Sequence, residues 1–255
     1  MEKKVKKDLE WLEFELLKEF KEITHGVFLR KGGVSRAPFT SLNVGGAVGD
    51  DPKSVLENRK RISSALNLKK LVIGLQKHED KVLEIDPYVT DSPQSVLPKS
   101  SDGIFTKKRK LGLCVFHADC QAALFYDPKK RVIANIHSGW RGNRQNIYER
   151  SVYALKEAYG VDPKDLLVCI SPSLGPKASE FIHYKSEWPE EFHEYRMEKD
   201  NFDLWKMSYD QLRKIGIKND HIEIAKICTF ENEKDFFSYR RNRTSGRNAT
   251  VIGLN

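Results

Sequence analysis

The strongest constraint on this chain is a reversal near its middle. Two apolar runs, 121–126 and 131–137, flank Asp127-Pro128-Lys129-Lys130. Aspartate folds onto the amides that follow it, and proline removes a backbone donor, so this tetrapeptide turns the chain rather than extending a strand. The two runs are expected to pair as an antiparallel hairpin. With Tyr126 set opposite Arg131, a regular register puts Cys120 opposite His137. Opposed side chains have Cβ atoms about 4.5–5.5 Å apart. Zinc takes sulfur at about 2.3 Å and imidazole nitrogen at about 2.0–2.1 Å. The hairpin therefore offers two metal ligands at a usable separation.

Two ligands make a poor site. His78, at the end of the short apolar run 71–75, is the best placed third. Three protein ligands and one open position are the pattern of catalytic zinc, whereas structural zinc is closed by four. The same spacing has two other readings. A cysteine opposite a histidine can be ordinary packing, or Cys120 can be a nucleophile with His137 as its base, in a metal-free hydrolase.

Elsewhere, period-two and apolar runs predict strands at 12–16, 24–29, 71–75, 102–106, 111–120, 166–170, 222–227, 236–239 and 249–254. Helices are expected at 51–66, with Asp51 as cap and Pro52 as first helical residue, at 145–159 and at 204–215. Residues 81–98 read as irregular, and 30–35 and 41–49 as glycine-rich loops. No repeat or linker interrupts the pattern. The expected architecture is α+β: a single domain spanning 1–255, with mixed, mostly antiparallel sheets and flanking helices.

Composition narrows the function. An apolar fraction of 39% over 255 residues sustains a large core. No apolar run is long enough to span a bilayer and no leader pattern opens the chain, so the expected location is the cytoplasm. The net charge of +8 is spread along the chain, and its densest block, Lys107-Lys108-Arg109-Lys110, reads as a solvated turn. Without a helix-turn-helix, zinc-finger or stacking-aromatic motif beside it, nucleic acid is not an expected partner. Cys114, Cys120, Cys169 and Cys228 are scattered, which argues against a disulfide framework.

Several segments in order carry a family resemblance: His25-Gly26, Arg30-Lys31-Gly32-Gly33-Val34-Ser35, Leu42-Asn43, Gln76-Lys77-His78, Ser101-Asp102-Gly103, Ala118-Asp119-Cys120, His137-Ser138-Gly139-Trp140-Arg141-Gly142, Phe236-Phe237-Ser238-Tyr239-Arg240-Arg241 and Gly246-Arg247. Over nearly its whole length the chain resembles the YfiH-type proteins, also called laccase-domain or polyphenol-oxidase-like proteins and multi-substrate purine nucleoside phosphorylases. The resemblance implies zinc bound by His78, Cys120 and His137. It implies phosphorolysis of adenosine, inosine and methylthioadenosine, and deamination of adenosine. The implied partners are purine nucleosides and phosphate. A monomer is the expected state, on no motif of its own.

Around that chemistry, Arg30 and Arg141 are candidates for phosphate, since guanidinium binds it through two parallel bonds. For Arg141 a structural salt bridge is the other reading. Asn43 either hydrogen-bonds the sugar or base or is a turn asparagine. Asp119 either shuttles a proton or is a buried structural carboxylate. His25 is expected to be a structural hydrogen-bonding residue. Copper is expected to compete for the zinc ligands, with weak polyphenol oxidase activity as a side reaction. The seven histidines are too dispersed to build a blue-copper site and a separate copper cluster.

Overall fold

Apolar side chains on both faces of the central strands require each sheet to be covered twice. The computed structural model describes residues 1–86 and 95–255. The first sheet runs β1 (Glu2–Lys6), β2 (Leu9–Glu13), β3 (Ile23–Phe28), β13 (Asn248–Leu254), β8 (Leu111–His117), β4 (Lys70–Leu75), β6 (Ser95–Ser100). The second runs β12 (Ile222–Ile224), β11 (Leu167–Ile170), β9 (Gln121–Asp127), β10 (Val132–Ser138), β7 (Gly103–Thr106), β5 (Val82–Glu84). Pairing is mostly antiparallel, with parallel contacts at β4–β6, β4–β8, β5–β7 and β11–β12. This is the α+β class the sequence predicts.

The period of two sets the layers. Val27, Leu113 and Ile252 meet Leu124, Ile133 and Cys169 between the sheets. Their strand neighbours Phe28, Cys114 and Val251 turn outward onto Ile62 and Leu66, at the end of helix α1 (Pro52–Ala65). On the other side Phe125, Ala134 and Val168 pack on Val152 and Leu155 of α3 (Ile147–Tyr159) and Leu212 of α5 (Leu204–Ile215). Each such fully buried aliphatic or aromatic side chain contributes about 1.5–3 kcal/mol. The result is a helix–sheet–sheet–helix stack.

Helix ends follow their caps. Asp51 accepts from the Lys53 and Ser54 amides at 3.2 and 3.1 Å, with Pro52 first in the helix. Helix α5 keeps its expected bounds, closed by Gly216 at φ 104°. Helix α3 begins at Ile147 rather than 145. Gln145 instead caps a short helix α2 (Trp140–Arg144), and Asn146, at φ 52°, accepts from the Glu149 amide to start α3. A fourth helix, α4 (Tyr184–Glu187), lies beside an aromatic cluster of Phe181, Trp188 and Phe202.

Several expectations need correction. The hairpin register is shifted by two: Asp127 pairs with Val132 and His137 with Ala122, so Cys120 is not opposite His137. Asp127 stays in the strand and its side chain accepts from the Lys129 and Lys130 amides, which moves the turn one residue onward. The strand expected at 12–16 starts at Leu9 and pairs with the lysine-rich edge strand β1. The strand at 111–120 stops at His117, and that at 222–227 stops at Ile224. Residues 236–239 are no strand, because the Asn248 side chain takes both the N–H and the C=O of Phe237. The stretch 81–98 contains β5 and β6, and its residues 87–94 lie outside the described residues. Among the described residues no helix is long and apolar enough to cross a membrane.

Candidate metal centre

Three different elements deliver the three candidate ligands. His137 stands on the central strand β10, buried. Cys120 lies in the bend that joins β8 to β9, where Asp119 adopts φ 85°. His78 follows β4 in a left-handed conformation, φ 61°, which is costly for a residue with a Cβ. The hydrogen bonds that hold it there are specific. Gln76 donates to the Phe116 carbonyl at 2.8 Å and accepts from its amide at 2.9 Å, tying the segment to β8. The Asp102 carboxylate accepts from three consecutive amides, those of Lys77, His78 and Glu79, at 2.9–3.0 Å.

The ligand atoms of His78, Cys120 and His137 all lie within 4.8 Å of one another. Cys120 Sγ is 3.8 Å from His78 Nε2. A tetrahedral ion at zinc's usual bond lengths separates sulfur and nitrogen donors by about 3.6 Å, so the donor set fits one ion with little movement. Asp102 Oδ1 lies 2.8 Å from His137 Nδ1, which leaves Nε2 of that ring for a metal. Gly139 closes against the group. A Cβ there would stand 3.0 Å from both Cys120 Sγ and His78 Cδ2.

Electrostatics favour the charged forms. Burial alone would push the Cys120 thiol up, but His137 and His78 bring it down to about 6. Burial would likewise lower His137, yet Cys120 and Asp102 raise it to about 9. A thiol held this low is ready to bind a metal as thiolate.

The centre lies where two clefts meet. One, of about 660 Å³, is lined by Asp119, Trp140, Arg141, Arg240 and Arg243 among others. The other, of about 710 Å³, is lined by Arg59, Ile73, Phe116, His117 and Arg247 among others. His78, Ala118, Cys120 and Tyr239 line both.

The other candidates divide. Arg141 faces the first cleft, over the Trp140 ring at 5.1 Å, and among the described residues no carboxylate pairs with it. Asp119 faces the same cleft, but Thr229 donates to one oxygen at 2.8 Å and the Arg240 amide to the other at 2.6 Å. Arg30 is elsewhere: it lines a separate cavity, its guanidinium donates to the Thr40 and Glu233 carbonyls, and it stacks over Phe237 at 4.6 Å. Asn43 is fully buried and spends its amide on Asp50, Gly45 and the Arg247 backbone, the bonding of a turn asparagine. His25 is buried and accepts from the Phe14 amide at 2.8 Å. Asp102, Tyr239 and Arg247 were not singled out as site residues. The signal for Asp102 was present as an acid ahead of the apolar run 103–106.

Residues 24–255 match the family model described as multi-copper polyphenol oxidoreductase laccase. The chain belongs to this family. A purine nucleoside phosphorylase of Bacteroides thetaiotaomicron is 30% identical over 251 residues, 93% of each chain. The purine nucleoside phosphorylase YfiH of Escherichia coli is 30% identical over 236 residues, 88% of this chain and 91% of the relative. Among solved structures, Bacillus licheniformis YfiH superposes with a TM-score of 0.84 at 27% identity, covering 97% of both chains.

Proposed function

We propose that this laccase-family chain is a zinc-dependent purine nucleoside phosphorylase acting on adenosine, inosine and methylthioadenosine, with adenosine deaminase activity. Residues 1–255 then serve as one catalytic domain of a cytoplasmic monomer. The observation that carries the reading is the convergence of His78, Cys120 and His137 within 4.8 Å at the meeting of two substrate-sized clefts. The relatives' names supply the substrate class. When bound, the zinc ion would supply Lewis acidity and an acidified water.

Phosphorolysis moves a ribosyl group. A phosphate oxygen forms the bond to C1′, the C1′–N9 electron pair leaves with the purine, and the proton of hydrogen phosphate ends on the base. The chain's part is to bind and orient two substrates. Arg141, Arg240 and Arg243 gather at the first cleft and suit the phosphate. Asp119, with both oxygens engaged, positions the Arg240 turn rather than moving protons. Of the remaining histidines, His25 and His117 are held inside the sheets by Phe14 and Thr250, which leaves them unsuited to a second copper site. Copper competes for the one centre, and oxidase activity is at most a side reaction.

The depressed Cys120 thiol and raised His137 also support a second reading, a metal-free cysteine hydrolase. Product analysis separates the two. Metal-assayed protein is given adenosine and inosine with and without phosphate. Free base released only with phosphate, and lost in both His78→Ala and Cys120→Ala, supports the phosphorylase. Full activity in His78→Ala without bound zinc would overturn it in favour of the hydrolase.

A further inference from the structure

Of the four residues that line both clefts, Tyr239 carries the ring that is not a candidate metal ligand. Its ring is 47% exposed, while Phe236, Phe237 and Ser238 before it are 0–1% exposed. An exposed ring on a buried turn needs a rigid support, and this turn has one. The Asn248 side chain holds Phe237 on both backbone groups, the Ser238 hydroxyl accepts from the Arg241 amide, and Asp119 accepts from the Arg240 amide. Arg241 adds bonds from its guanidinium to the carbonyls of Thr229, Phe230 and Phe236. The Arg247 guanidinium lies 5.6 Å from the ring centroid. The backbone that carries the ring is thus held before any ligand arrives, which lowers the ordering cost of binding. Tyr239 lines both clefts together with His78 and Cys120, with solvent-accessible surface left for a planar partner.

We infer that Tyr239 is the stacking platform for the purine base, and so the residue that selects a two-ring base over a one-ring base. The assignment rests on the nucleoside reading above. Stacking needs the ring and not the hydroxyl, so Tyr239→Phe retains binding and Tyr239→Ala loses it. Loss of one base-on-ring stack weakens binding roughly 5- to 150-fold.

The test has two arms on zinc-loaded full-length protein. In the first, a fluorescent purine nucleoside, 2-aminopurine riboside, is titrated against wild type, Tyr239→Phe and Tyr239→Ala, with uridine as a one-ring competitor. The expected result is a Kd shared by wild type and Tyr239→Phe, a Kd 5- to 150-fold weaker for Tyr239→Ala, and poor competition by uridine. In the second arm, KM for inosine rises by the same factor in Tyr239→Ala while KM for phosphate stays put. Equal binding by Tyr239→Ala, equal losses in the Phe and Ala variants, or no purine binding by wild type would each overturn the proposal. Binding that follows the expected order without any turnover would instead sink the phosphorylase reading and leave the platform standing. Circular dichroism and thermal melts of each variant separate a binding defect from misfolding.

Discussion

Asp102 is 1% exposed, and four N–H groups satisfy both oxygens of its carboxylate within the protein. Three of them bend the backbone at His78 and the fourth orients the His137 ring. One side chain therefore registers two of the three proposed ligands. Asparagine in its place keeps the volume but turns an NH2 group toward donors. We expect Asp102→Asn to weaken zinc binding 10- to 100-fold, as loss of such ligand-orienting partners generally does. Competition with a chromophoric chelator measures this, and unchanged affinity would show that His78 and His137 hold their places without it. At this scale the sequence was legible where residue type carries the chemistry: thiol and imidazole announce themselves as ligands. It was silent on where a long side chain spends its donors. Arg30 and Arg141 look alike in sequence, but Arg30 is consumed by the Thr40 and Glu233 carbonyls while Arg141 faces the first cleft.

The elements were legible wherever local rules decide them. The Asp51 cap with Pro52 and the apolar runs of β3, β8 and β13 are local signals, and the helix and strands form there. The hairpin shows where local rules stop. Asp-Pro favours placing Asp127 in the turn, but Asp127 ends the strand instead, and that one difference changes the register by two. Cys120 lies in the bend just ahead of β9 and not in the ladder, so its closeness to His137 comes from that bend, with Asp119 at φ 85°, and not from strand pairing. The missing strand at 236–239 has its cause outside the segment, in the side chain of Asn248, whereas the unexpected β1 is one arm of a tight local hairpin, with Lys6 paired to Leu9 of β2. The Asp127 side chain is fully buried with two amides on one oxygen. Removing it should destabilise the chain by about 1–3 kcal/mol. Urea unfolding of Asp127→Ala reads this as a lower midpoint with an unchanged slope, and a midpoint equal to wild type would mean the turn does not depend on that carboxylate.

For the whole molecule, two stacked sheets bury groups that prefer water, and this makes stability depend on pH. His25 is buried, accepts from the Phe14 amide in its neutral form, and is pushed by burial down to about 4 from 6.5, a pull that the Phe14 bond does not offset. The unfolded chain takes up its proton first, so stability is complete above about pH 6.5 and falls as pH drops towards 4. The loss from this one group is about 3 kcal/mol. Burial lowers His117 in the same way, to about 3, so denaturant unfolding between pH 7.5 and 4 should show falling stability that His25→Gln reduces without abolishing. A slope unchanged by His25→Gln would assign the effect to other groups.

The proposed chemistry depends most on one ion shared by His78, Cys120 and His137, and zinc-edge X-ray absorption of the zinc-loaded protein examines that ion directly. It should show one sulfur at about 2.3 Å, two imidazole nitrogens at about 2.0–2.1 Å and one further light-atom ligand. A spectrum without sulfur, or one indifferent to Cys120→Ser, would contradict it.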